Sequence, residues 1–366
     1  MLRGDSSPGT VRLAWALCAL VGAGCAALVA WGNPGNMGVC GACFLRDLAG
    51  ALGLVSVKAP QILRPEVVGV VLGATLLALA RRRFVARSGS FAVARFLLGV
   101  LMAFGALVFL GCPFRMLQRL GGGDLNAVVG LAGFLAGVGA GLFLESRGYS
   151  VGKTSPAPAP VGLLGPGVAL ALLGLFLARK LLRGPGPGDA GGPDHAFWAT
   201  SLVVALAAGA AMSATGFCAV SAARQVFQAR KRMLAGALLL VAGYAAVSLA
   251  TGRFHARFES QPLAHSDHLW SALAMALVGL SGALAGGCPV RQMVMAGEGN
   301  GDAFVTIMGI AVGGALAHNW GTVSGAAGAT DAGKWAVGVG LLLCAAYGAA
   351  TASLGRRAPS SAETRA

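Results

Sequence analysis

Four cysteines stand in motifs that occur twice. "GCPFR" begins at residue 111 and "GCPVR" at 287, pairing Cys112 with Arg115 and Cys288 with Arg291 at one spacing, 176 residues apart. "GVCGACFLRD" (38–47) and "GFCAVSAARQ" (216–225) share G-x-C-x5-R, which pairs Cys40 with Arg46 and Cys218 with Arg224 at an offset of 178. "GD" at 123–124 and 301–302 repeats at the same 178. Pro113 and Pro289 suit the first turn of a helix, where a missing N–H costs nothing. Cys112 and Cys288 are then expected at helix N-termini, where free N–H groups and the helix dipole attract anions. With a guanidinium close by, such a thiol suits a soft anion, one with a sulfur or selenium atom and anionic oxygens.

Other readings of these residues stay open. Cys18, Cys25 and Cys344 fall inside apolar runs and read as small packing residues. "CGAC" (40–43) is a C-x-x-C, the pattern of a redox dithiol or of half a zinc site. Its counterpart in the second copy is Cys218 with Ser221, and no other C-x-x-C exists to complete four ligands. Cys43 is therefore an extra thiol, and neither metal nor cofactor is expected. Asn33 and Asn36, in "NPGNMGVCGAC", are expected at the mouth beside Cys40. Arg46, Arg115, Arg224 and Arg291 are assigned to an anion path in preference to lipid anchoring. Asp124 and Asp302 read as helix N-caps. His255, His265 and His268 fall in one loop, read as solvated, and His318 with Asn319 as a packed, hydrogen-bonded pair.

The elements that must hold these residues are membrane helices. The 366 residues are 56% hydrophobic and only 11% charged, against about 25% charged in a soluble chain. Mean hydropathy is +0.73. Apolar runs near 12–31, 62–80, 91–110, 125–144, 161–178, 196–214, 233–251, 269–286, 303–320 and 335–354 predict ten spans. The first run is too long for a typical signal-peptide core and counts as a span. The 58 glycines follow no G-X-Y period and fit close helix packing. A net charge of +15 without a basic tail or aromatic-basic platform excludes a nucleic-acid binder. Counting loops over ten spans, 17 of the 28 lysines and arginines fall on the N-terminal side, which predicts cytoplasmic termini.

Each copy therefore reads as span, cysteine loop, two spans, GCPxR loop, span. The first covers 12–144, a linker with one span covers 145–195, the second copy covers 196–320, and a further span covers 321–355. Five spans separate equivalent points, an odd number, so the second copy is expected upside down relative to the first. The expected fold is an all-α polytopic membrane protein of about ten transmembrane helices in two inverted repeats, with short re-entrant half-helices carrying the cysteine motifs. Inverted repeats with broken helices at their interface are common in secondary transporters. No G-x-x-x-x-G-K-[ST] occurs, so the chain is not itself an ATPase.

"NPGNMGVCGACFLRD", "GCPFRM", "ATGFCAVSAARQ" and "GGCPVRQMVMAGEGNGDA", in that order over most of 12–355, resemble the YeeE/YedE family of sulfur-compound membrane transporters. The "CGACFLRD" form looks most like the YedE branch, associated with selenium metabolism. The resemblance implies a bacterial inner-membrane importer, not an enzyme, for a small sulfur or selenium oxyanion such as thiosulfate. It also implies a central pathway in which Cys40, Cys112, Cys218 and Cys288 pass the ion inward through S–H···S contacts. The alternative is a membrane thiol protein that covalently captures sulfane sulfur or selenium and delivers it to a small cytoplasmic carrier protein. A scaffold for a membrane complex is the third reading.

Overall fold

The structure is a computed structural model that describes residues 7–56, 62–178, 195–228 and 230–357. Most of the Pro/Gly-rich linker expected at 184–195 lies outside the described residues. The helices are α1 (Pro8–Ala30), α2 (Gly41–Ala51), α3 (Pro65–Ala80), α4 (Ala92–Val108), α5 (Pro113–Gly121), α6 (Asn126–Ser146) and α7 (Ala159–Leu177). They continue as α8 (Trp198–Thr215), α9 (Ala219–Arg224), α10 (Arg232–Ala250), α11 (His268–Ala285), α12 (Pro289–Gly297), α13 (Gly301–Asn319) and α14 (Asp331–Arg357). Two two-residue strands, β1 (Arg87–Ser88) and β2 (Ser155–Pro156), pair antiparallel across connecting loops.

The protein is an all-α polytopic membrane protein. Among the described residues, nine helical segments are long and apolar enough to cross a membrane. The tenth expected span, 62–80, is the 16-residue α3. It begins only at Pro65 and reaches about 24 Å, short of a hydrocarbon core of roughly 30 Å. Leu20, Val93, Leu170, Val203, Leu238 and Leu342 face outward, as lipid-facing positions should.

Elements α1–α6 and α8–α13 run in the same order: long helix, half-helix, two long helices, half-helix, long helix. Contacts between the two sets come in exchanged pairs. Helix α1 packs on α10 as α8 packs on α3, and α6 on α11 as α13 on α4. The half-helices follow suit, with α2 against α13 as α9 against α6, and α12 against α3 as α5 against α10. A two-fold relation between the copies produces this pattern.

The glycines explain how the four long pairs approach. At each crossing a glycine on either helix lies against a carbonyl oxygen of the other. The pairs are Gly22 with Gly243, Gly73 with Gly209, Gly137 with Gly279, and Gly99 with Gly309. A Cβ at any of these eight positions would collide with backbone. Lipid tails are as apolar as leucine, so helices in a bilayer associate through close backbone packing, which these glycines permit.

Candidate functional site

Each of the four repeated cysteines is the N-cap of a half-helix: Cys40 of α2, Cys112 of α5, Cys218 of α9 and Cys288 of α12. Sequence reasoning placed only Cys112 and Cys288 there, guided by the following prolines; Cys40 and Cys218 have no such marker. All four adopt extended backbone and are buried. The Cys40 thiol accepts the N–H of Cys43 at 3.4 Å. The thiols of Cys112, Cys218 and Cys288 accept no such cap hydrogen bond.

The thiols gather in two groups, one from each copy. Cys40 interacts with Cys112 and with Cys43, and Cys218 interacts with Cys288. The groups adjoin. Gly41 abuts Pro289, so a Cβ on it would lie 2.7 Å from the proline ring, and Phe114 meets Phe217 edge-on with centroids 6.2 Å apart. Four half-helix N-termini thus converge with their thiols. All eight cysteines of the chain are free.

The turn into each GCPxR half-helix requires a left-handed residue, which is Gly286 (φ 82°) in the second copy and Leu110 (φ 60°) in the first. Leu110 is held there by Arg115, whose Nη1 donates to its carbonyl. A Cβ at Gly286 would meet nothing within 4 Å, so substitution there tests the backbone alone. Gly286→Ala should cost about 1 kcal/mol, read as a lower thermal midpoint in detergent. Leu110→Gly should not lower it through the backbone.

The four arginines divide by partner. Arg115 is buried and donates to main-chain carbonyls: Nε to Asn36 at 3.0 Å, Nη1 to Leu110, and Nη2 to Gly35, Pro262 and Leu263 at 3.3, 3.4 and 3.4 Å. No carboxylate lies within ion-pair distance of it among the described residues, so its charge is uncancelled, and its field reaches Cys40 and Cys43. Arg291 acts likewise on Cys218, but it is paired with Glu298 at 3.2 Å. Arg46 and Arg224 tie each half-helix to the last long helix of the other copy. Arg46 Nη1 donates to His318 Nε2 of α13 at 2.6 Å, and Arg224 grips Glu145 of α6 with both Nη atoms. Arg46 also pairs with Asp47 at 2.6 Å.

The asparagines separate too. Asn36 (φ 53°) lines a cavity of about 110 Å³ with Tyr244, Ser248, Arg253 and Gln261. Asn33 is instead buried away from that cavity. It donates to Glu66 Oε1 at 2.8 Å and to the Gly38 carbonyl at 3.2 Å, and accepts the Ala196 N–H at 3.0 Å. Gln118 of α5 pins the same loop, accepting the N–H of Gly38 at 2.9 Å.

Three sequence expectations are corrected. Asp124 and Asp302 are not N-caps; Leu125 and Asn300 hold those positions. Asp124 accepts from Arg119 Nε at 2.6 Å and from the Asn126 N–H at 2.9 Å, because a buried arginine five residues back outbids the cap. His318 and Asn319 do not pair with each other: His318 meets Arg46, and Asn319 accepts from Ser56 at 2.9 Å. His265 is buried, not solvated, with Nε2 donating to the Val108 carbonyl at 2.8 Å. Burial lowers its pKa and keeps it neutral.

No family model and no curated protein matches the chain. Sequence reasoning missed the buried contact between Glu66 and His195, at 3.1 Å, and the Asp47–Arg64 pair at 2.5 Å. The signal was present: an ionisable residue beside an apolar run of a membrane protein is a functional candidate by default.

Proposed function

We propose that the protein imports a small sulfur- or selenium-containing anion, thiosulfate-like or a selenium compound, across the bacterial inner membrane. The observation that carries this reading is the convergence of Cys40, Cys112, Cys218 and Cys288, each at a half-helix N-terminus, in two adjoining groups. Thiols and helix N-termini solvate a soft anion where water is absent, and the uncancelled charge of Arg115 offsets the anion's own. The first copy's thiols receive the ion from outside and the second copy's pass it inward, with the two copies inverted and both termini in the cytoplasm. The four-motif resemblance to the YeeE/YedE family supports the same substrate class.

The test is uptake into liposomes that contain only this protein, offered labelled thiosulfate, selenite and selenium–sulfur compounds in parallel. Saturable uptake of at least one is expected; none for any of them overturns the reading.

The grouping of Cys40, Cys43 and Cys112 favours one second reading, covalent capture. A thiolate would take the sulfane sulfur of thiosulfate, release sulfite and keep a persulfide for a small cytoplasmic carrier protein. Mass spectrometry separates the two, because a relay leaves no persulfide.

A further inference from the structure

Glu66 stands in the first turn of α3, and His195 lies just ahead of α8. The side chains of both are 0% exposed, and His195 Nε2 lies 3.1 Å from Glu66 Oε1. His195 Nδ1 sits 2.8 Å from the Ala196 carbonyl and so carries a hydrogen. A neutral imidazole of that tautomer would present the Nε2 lone pair to a buried carboxylate. One proton shared by the pair, on Nε2 or on oxygen, removes the repulsion and leaves the pair neutral. The amide of Asn33 is fixed by accepting the Ala196 N–H, so its Nδ2 must donate to the same Oε1. Neither Glu66 Oε2 nor His195 Nε2 makes a well-aligned hydrogen bond among the described residues, so the 3.1 Å approach alone joins the two side chains. The other charged or titratable neighbours are Arg64, already engaged by Asp47 of α2 at 2.5 Å, and Cys25 of α1.

We propose that Glu66 and His195 form a proton-carrying site that couples anion uptake to proton entry, a proposal that rests on the transport reading above. Two observations connect the pair to the path. Its members sit on α3 and at the start of α8, helices of opposite copies that cross at Gly73 and Gly209. Asn33 joins Glu66 to the Gly38 carbonyl, two residues before Cys40. The pair is sealed, with both side chains 0% exposed, so its proton exchanges with water only when the helices around it part. An anion entering a cell works against an inside-negative potential. The proton picked up outside and released inside offsets one of its charges, and nothing is oxidised or reduced.

The test uses proteoliposomes of the full chain, labelled thiosulfate and a membrane voltage clamped at zero. With the outside acidic, wild type should accumulate thiosulfate about tenfold per pH unit for one proton carried, and an internal dye should report acidification on adding thiosulfate. Glu66→Gln and His195→Gln should still exchange internal for external thiosulfate, yet show no accumulation and a flat pH profile. Wild-type uptake indifferent to the gradient overturns the proton site alone, as does gradient-driven accumulation by both variants. Absence of both uptake and exchange in wild type overturns the transport reading and the proton site with it. The wild-type arm decides even where a variant fails to fold.

Discussion

Alanine in place of Cys112 or Cys288 should cut uptake of labelled substrate by roughly ten- to a hundredfold. A hydrogen bond to a charged group is worth about 1.5–3 kcal/mol, and each 1.4 kcal/mol is about a factor of ten. Both cysteines stand at the N-cap position of a half-helix, and each thiol interacts with a second thiol of its own group, Cys40 or Cys218. Losing one therefore interrupts the sequence of contacts as well as one site. The control is Cys344 of α14, which is buried but interacts with none of the repeated cysteines. Cys344→Ala should leave uptake near wild type. Serine at the four repeated positions discriminates further: it retains size and a hydroxyl donor but not the polarisable sulfur. Full uptake with four serines would match a scaffold and remove the reason for the thiols.

The duplication was legible because its motifs carry chemistry: two GCPxR and two G-x-C-x5-R segments survive at nearly one offset. Proline marked two of the four half-helices. The arginine roles were not legible, since the partners of Arg46 and Arg224, namely His318 and Glu145, lie 272 and 79 residues away. At these two matched positions each guanidinium also ties its half-helix to the opposite copy. The contact between Glu66 and His195 escaped for the same reason: each is an ionisable residue beside an apolar run, but the pairing of a residue on α3 with one ahead of α8 has no local pattern. The glycines were legible as composition only. Their pairing across four equivalent crossings depends on which helices meet, and the two-fold relation decides that.

Asp124→Ala should be among the most damaging substitutions to stability outside the glycine crossings. Its carboxylate is 0% exposed and holds Arg119 Nε at 2.6 Å, and the Arg119 side chain is equally sealed. Removing one partner of a buried ion pair typically costs about 3–5 kcal/mol, because the other charge is left without compensation. The remaining contacts of Arg119 cannot replace it: Nη1 donates to the Phe109 carbonyl at 2.8 Å, and the guanidinium lies over the Phe109 ring at 4.2 Å. The matched residue in the second copy answers a different need. Asp302 accepts from Ser88 Oγ, Gly89 N, Ser90 N and Ser90 Oγ, while its arginine, Arg95, stands off at 3.9 Å. Asp302→Asn keeps one acceptor oxygen, enough for two of those four donors, and leaves Arg95 its bonds to Ser90 Oγ and the Ala285 carbonyl, so it should cost less than Asp124→Asn, which discards the charge that Arg119 requires. Thermal unfolding in detergent reads the difference. Equal losses from the two asparagine variants would mean that the buried Arg119 is compensated by Phe109 alone.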